Sequence, residues 1–163
     1  MDALQALRER RSVRAFEERP IDKEALEAMV DCGRLAATAR NEQPWEFVVV
    51  TDRDTLTRLG HATDHGRFIA EAAACIVVLC VDSKYYLEDG SAATQNILVA
   101  AHALGVGSCW VAGDKKPYTD DIQTIVSAPA GYRMVSMIAL GYPAKIPTPK
   151  KRSLEEVIHW ERF

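Results

Sequence analysis

The chain has 163 residues, 48% of them hydrophobic, a formal net charge of −3 and a pI near 5.8. That composition describes one folded domain over residues 1–163 with a sizeable core, and it lacks the basic excess that a nucleic-acid groove requires. The longest apolar run, Ala72 to Val81, is too short to cross a bilayer, and the start of the chain lacks the apolar stretch of a signal peptide, so the expected location is cytoplasmic, with neither membrane nor nucleic acid as partner.

Leu4 and Leu7 predict a short amphipathic helix running to about Arg10. It leads into a basic cluster, Arg10-Arg11-Ser12-Val13-Arg14, matched at the other end of the chain by Lys150-Lys151-Arg152. Taken singly, each cluster reads as a solvated helix end; brought together by folding, the two make one anion site, because guanidinium forks and a serine hydroxyl match phosphate oxygens. A second helix follows Asp22, with Ile21 and Leu26 at staple positions and Leu26, Met29, Val30 and Gly33 on one face. The string from Ala37 to Trp45 then interrupts the helical pattern with amides and a proline. It places polar groups at the entrance of a strand, Phe47 to Val50.

Leu56 and Leu59 mark a further helical turn or two, and Cys75 to Val81 reads as a central strand buried on both faces. From about Ser91 to Leu104 runs an alanine-rich helix, capped by Gly105, whose small side chains permit close packing, between subunits among other options. Gly107 to Val111 predicts a short strand, Thr119 to Val126 a helix, and Met134 to Leu140 a buried strand. Residues Ala144 to Arg152, with two prolines and no periodicity, predict an extended arm before a final helix from Leu154 to Trp160. From helices alternating with strands, the local pattern alone predicts a doubly wound α/β fold.

Several chemistries are excluded by spacing. Gly105-Val106-Gly107 lacks the third glycine of a dinucleotide fingerprint, Trp110 standing in its place, and follows a helix rather than a strand. His61 and His65 have i, i+4 spacing but no third ligand, so a surface helix or turn is the better reading and no metal ligand is assigned. The cysteines Cys32, Cys75, Cys80 and Cys109 show no Cys-x-x-Cys spacing and read as buried small hydrophobes. Cys109 has no evident positive neighbour to make a thiolate, and no nucleophile elbow occurs, so no catalytic side chain is assigned. Anion donors and amides without an acid, base or nucleophile point to a cofactor that brings the reactivity.

Five motifs carry a resemblance: Arg10 to Phe16, Asn41-x-Gln43-Pro44-Trp45, Ala101-x-x-Leu104-Gly105-Val106-Gly107-Ser108-Cys109-Trp110, Leu140-Gly141-Tyr142-Pro143, and Lys150 with Arg152. In this order the chain resembles the nitroreductase family of FMN-dependent NAD(P)H oxidoreductases. The resemblance implies an α+β fold, a three-layer α/β/α sandwich with a mixed central sheet, in an intertwined homodimer with FMN at the interface. It implies that Arg10, Ser12, Lys150 and Arg152 bind the phosphate with Arg11 assisting, and that Arg14 lies near the flavin's pyrimidine edge, where a cation favours reduced flavin. It further implies that Thr38, Asn41 and Gln43 approach from the partner subunit, and that Ala112 and Gly113 present backbone to the N5 edge. Ala37-Thr38 stands where family members commonly have Pro-Ser, with threonine keeping the hydroxyl, and Asp82 to Glu88 leaves little room for the helical excursion of larger relatives. Trp110 reads as core rather than as a site wall.

The implied activity is hydride transfer from NADH or NADPH through flavin N5 to a nitroaromatic, quinone or similar small-molecule acceptor, in ping-pong order. The alternatives are a flavin-binding or redox-sensing protein with little turnover, and a specialised reductase of the dehalogenase or flavin-modifying type.

Overall fold

The apolar run from Ala74 to Val81 forms a strand, β2, in which every side chain from Ala74 to Cys80 is buried. In this computed structural model, which describes all 163 residues, β1 (Trp45–Val50), β2, β3 (Gly107–Ala112) and β4 (Tyr132–Gly141) form one sheet in the order β1-β2-β4-β3. All three pairings are antiparallel. The doubly wound α/β expectation therefore fails, because the hydrophobic period reports which faces of a strand are buried and carries nothing about its direction. The one parallel pairing is an isolated bridge between Ser12 and Ser108, so the sheet is mixed only through the N-terminal segment.

Helices cover both faces. On β2, Ala74, Ile76, Val78 and Cys80 pack with Met29, Ile97 and Ala101 of α2 (Lys23–Arg34) and α4 (Tyr86–Ala103). Cys75, Val77 and Leu79 point the other way, toward Leu56 and Leu59 of α3 (Arg53–His61), Ile69 in the 3-10 turn Arg67–Glu71, and Ile122 of α5 (Thr119–Ile125). This period-two division of one strand between two helical layers makes the α/β/α sandwich. The fully buried large side chains each contribute about 1.5–3 kcal/mol by leaving water.

Element ends show where tertiary contacts override local pattern. The N-terminal helix, α1 (Ala3–Glu9), buries Ala6 and leaves Leu4 and Leu7 exposed. Asp22 occupies the N-cap of α2, yet its side chain makes no capping bond. The alanine-rich helix begins at Tyr86, well before Ser91, and its close packing is realised within the chain, against α2. Gly105 ends it as expected, with φ +78. A bulge interrupts β4 where Val78 pairs with Ser136 but Leu79 with Met134, leaving Val135 without a partner on β2. The expected helix from Leu154 to Trp160 is absent: the Val157 and Ile158 N–H groups both bond the Leu154 carbonyl, at 3.1 and 3.0 Å, and the single turn goes no further. No helix is long and apolar enough to cross a membrane.

Candidate functional site

The chain leaves α1 with the Arg10 N–H still bonded to the Ala6 carbonyl, and Arg11 folds back to donate to the Arg8 and Arg10 carbonyls at 2.7 and 2.8 Å. Ser12 meets the outer edge of β3 near its start, where the Val13 N–H bonds the Ser108 carbonyl at 2.9 Å, and the chain then crosses to the end of β4, where the Glu17 N–H bonds the Tyr142 carbonyl at 2.8 Å. Two glycines permit this approach. A Cβ at Gly107 would lie 3.0 Å from the Val13 side chain, and one at Gly141 would lie 2.7 Å from the Phe16 ring.

The row Arg10, Ser12, Arg14 lies at the Gly107 end of β3, because Ser12 meets Ser108 and by Phe16 the chain has reached Pro143, past Gly141, the partner of Gly107; Ala112 and Gly113 stand at the other end. The five steps from Ser108 to Gly113 span about 17 Å at the rise of a strand. The Arg14 guanidinium lies 5.9 Å from the centroid of the Phe68 ring, which places it on the α3 and α5 side of the sheet. None of the chain's ion pairs, Lys23–Glu27, Arg34–Asp31, Lys115–Asp114 and Arg133–Asp82, engages Arg10, Arg14, Lys150 or Lys151. These cations are free for an external anion.

Cys109 lies beside the row, and here the sequence reading is corrected. Burial pushes its thiol pKa up, while Arg14, the Ser12 hydroxyl and Arg10 each pull it down. Burial is the largest of these influences, so the thiol stays protonated despite two cationic neighbours, and nucleophilic catalysis remains unsupported. The neighbouring Ser108 hydroxyl is buried with no hydrogen-bond partner.

At the far end of β3 the backbone is largely committed. The Ala112 carbonyl accepts from the Tyr118 hydroxyl at 2.6 Å, the Gly113 carbonyl from Thr119 at 2.7 Å, and the Gly113 N–H donates to Val135 at 3.1 Å. Gly113 is therefore not required by a free N–H. It also lacks a positive φ, and a Cβ there would meet Met134 at 2.9 Å. Ala112 is exposed and small, so it leaves the β3 end open.

The Thr38 to Gln43 segment lies elsewhere. It enters β1, the opposite edge strand, three strand spacings or about 14 Å across the sheet from β3. Arg40, Asn41 and Gln43 all take left-handed backbone, with φ 54, 58 and 49. The Gln43 N–H bonds the Thr38 hydroxyl at 3.3 Å. Lys150 and Arg152 lie in the exposed tail, where Arg152 donates to the Glu156 carbonyl, and no hydrogen bond or ion pair ties them to Arg10–Arg14. His61 ends α3 and His65 lies beyond it, so the two do not share a helical face.

Sequence reasoning missed two acidic side chains at the end of the sheet shared by β3's exit and β1's entry. Asp114 accepts from the Tyr86 hydroxyl at 2.6 Å, a bond that raises the Tyr86 pKa. Asp89, on α4, accepts the Ala39 N–H at 3.0 Å. The signal for Asp89 was available: it stands at i, i+4, i+8 spacing with Ala93 and Ile97, a carboxylate on the apolar face of a helix.

These features agree with comparisons to known proteins. The family model described as the Nitroreductase family matches residues 7–76 and 66–142. A Methanothermobacter thermautotrophicus protein provisionally named NADH dehydrogenase/NAD(P)H nitroreductase is 32% identical, covering 100% of this chain and 88% of its own length. Among solved structures, a Bacteroides thetaiotaomicron protein of the same provisional name superposes with a TM-score of 0.93 at 32% identity, covering 99% of this chain and 98% of its own. A provisionally named nitroreductase from Desulfovibrio desulfuricans, solved in complex with FMN, superposes with a TM-score of 0.84 at 29% identity, covering 100% of this chain and 98% of its own. The chain belongs to the nitroreductase family.

Proposed function

We propose that the protein is a homodimeric NAD(P)H oxidoreductase with FMN as its cofactor, passing electrons in ping-pong order to a nitroaromatic, a quinone or a similar small acceptor. FMN, when bound, supplies the two-electron chemistry that no side chain of this chain offers. The observation that carries the reading is the row Arg10, Ser12 and Arg14, gathered beside Ser108 and Cys109 at the start of β3 with neither arginine in an ion pair. Two unpaired guanidinium groups and a hydroxyl in one place suit a ligand that carries a dianion.

In this reading Arg10 and Ser12, joined by Lys150 and Arg152 of the tail, hold the phosphate. Arg11 assists by fixing the end of α1, and Arg14 sits by the ring's pyrimidine edge. Thr38, Asn41 and Gln43 reach the ring from the second copy, because within one chain they lie on the opposite sheet edge. Ala112 and Gly113 contribute by being small. The FMN complex of the Desulfovibrio desulfuricans relative and the NAD(P)H in the other relatives' names support the cofactor and donor.

The test is the absorption spectrum of the protein after FMN addition and desalting, followed by anaerobic mixing with NADH or NADPH and light scattering. Retained flavin, bleached by one of the two donors, on a particle of twice the chain mass is expected. A protein that retains no flavin, or whose flavin neither donor bleaches, overturns the enzyme reading. A monomer with flavin bound overturns the split site.

A further inference from the structure

Asp89 sits on the inward face of α4 and is only 4% exposed. A carboxylate there forfeits its hydration, and only a partner of matching chemistry offsets that. One oxygen has such a partner: Oδ1 accepts the Ala39 N–H at 3.0 Å, from a residue 50 positions earlier in the chain, while Oδ2 is buried without one.

The Ala39 amide opens the turn in which Arg40, Asn41 and Gln43 are all left-handed. That conformation is disfavoured for side-chain-bearing residues and persists only where the surroundings enforce it. The turn's other bonds are local: Asn41 N–H to the Thr38 carbonyl, Glu42 N–H to the Ala39 carbonyl, and Gln43 N–H to the Thr38 hydroxyl. The next tie to the body of the fold comes after the turn, where the Pro44 carbonyl accepts from Val81. Asp89 therefore provides the hydrogen bond that anchors the start of this turn to the core.

We infer that Asp89 is a positioning residue, whose carboxylate clamps Ala39 and so holds the strained Ala39–Gln43 turn in the geometry that presents Asn41 and Gln43 to a flavin ring. This rests on the flavin role proposed for those two amides. The variants are Asp89→Ala, Asp89→Asn and Ala39→Pro. Proline suits position 39 because Thr38 is already extended, at φ −130 and ψ 156, and because position 39 opens a helical turn, so the change removes the donor alone. It also tests the clamp should Asp89→Ala fail to fold.

In apoprotein, the Asn41 and Glu42 amides should exchange about tenfold faster in Asp89→Ala and in Ala39→Pro. The dissociation constants of FMN and riboflavin should both rise about tenfold, by the same factor, since the turn is read as meeting the ring. Asp89→Asn, which keeps an acceptor oxygen, should restore both readouts, and the double variant should be no worse than either single one. Unchanged exchange, additive losses, or an asparagine variant as impaired as the alanine one would overturn the clamp. Faster exchange with unchanged flavin affinity would overturn the positioning role while leaving the anchor. Wild-type protein that binds no flavin would overturn that role together with the cofactor reading on which it rests.

Discussion

Replacing Arg10 with alanine removes a guanidinium that the fold itself does not use. Its backbone N–H holds the end of α1, but its half-buried side chain makes no hydrogen bond or ion pair. Folding stability should therefore change by less than about 0.5 kcal/mol. A charge-assisted bond to phosphate contributes about 1.5–3 kcal/mol, so FMN affinity should fall about ten- to a hundredfold. Arg11→Ala should behave in the opposite sense. That side chain caps the Arg8 and Arg10 carbonyls, and its loss should destabilise the apoprotein by about 0.5–1.5 kcal/mol with the smaller effect on FMN. The assay is flavin fluorescence quenching with FMN and with riboflavin, at low and high salt, beside thermal unfolding of each apoprotein. Riboflavin lacks the phosphate and should be indifferent to Arg10, and the FMN penalty should shrink as salt screens the partly exposed site. Equal losses for both flavins, or a larger FMN loss from Arg11→Ala than from Arg10→Ala, would refute the assignment of the phosphate to Arg10.

Three further outcomes follow from the interior. The Thr94 hydroxyl donates to the Gly90 carbonyl at 2.7 Å, so the 2.8 Å contact with Ser136 has the serine as donor; Thr94→Val should cost about 1–3 kcal/mol by orphaning it, and adding Ser136→Ala should recover most of that in a urea-unfolding cycle. Gly113→Ala should lower the apoprotein Tm, through about 1–3 kcal/mol of overpacking against Met134 and the Val135 backbone; an unchanged Tm would show that β4 yields freely there. Burial pushes the Cys75 and Cys80 thiols up to about 12 from 9.0, with Asp89 adding to the effect at Cys80. Because the folded pKa is the raised one, this contribution is full below pH 9.0 and is lost as pH rises toward about 12, at up to about 1.4 kcal/mol per pH unit for each thiol. A Cys75→Ala/Cys80→Ala variant should accordingly lose stability less steeply than wild type between pH 9 and about 11, and parallel curves would count against the shifts.

The order of elements was legible because the core is written in runs that admit one reading. Ala74 to Cys80 can be buried throughout only in a central strand, and Leu56, Leu59 and Leu26, Met29 have a helical face. Strand order was not legible. β2 and β3, joined by α4, do run the same way as a βαβ unit predicts; every pairing is antiparallel because β4, the last strand of the chain, inserts between them, and no local pattern reports that strand order. The tail failed for a different reason. Leu154, Val157, Ile158 and Trp160 have a helix-like spacing, but all are exposed, and one isolated turn cannot offset the cost of helix nucleation. At the site, motif residues were legible by type, whereas Cys109's cationic surroundings arose from the Ser12–Ser108 bridge, a pairing across most of the chain that no window of sequence contains.

Gly113 has a reason to be small within the fold, separate from the ligand contact expected of it. The sequence expects a small residue at the end of β3 because a ligand approaches; the fold also requires it, because the Val135 bulge turns its carbonyl to the Gly113 and Asp114 N–H groups and brings Met134 against the Gly113 Cα. The bulge therefore sets the site's shape from behind. A similar logic applies to the sheet edges. One edge carries the free cations, the other the strained amides, and between them stand β2 and β4, whose side chains fill two cores. In the proposed site, a ligand would meet the two sets of groups on two chains. The tail carries exposed apolar surface, Trp160 at 78% with its neighbours Val157 and Ile158, which the second copy of the proposed homodimer would cover. In the proposed homodimer, association would do more than stabilise the protein: it would bring the amides held through Asp89 in one copy to the arginines at the start of β3 of the other.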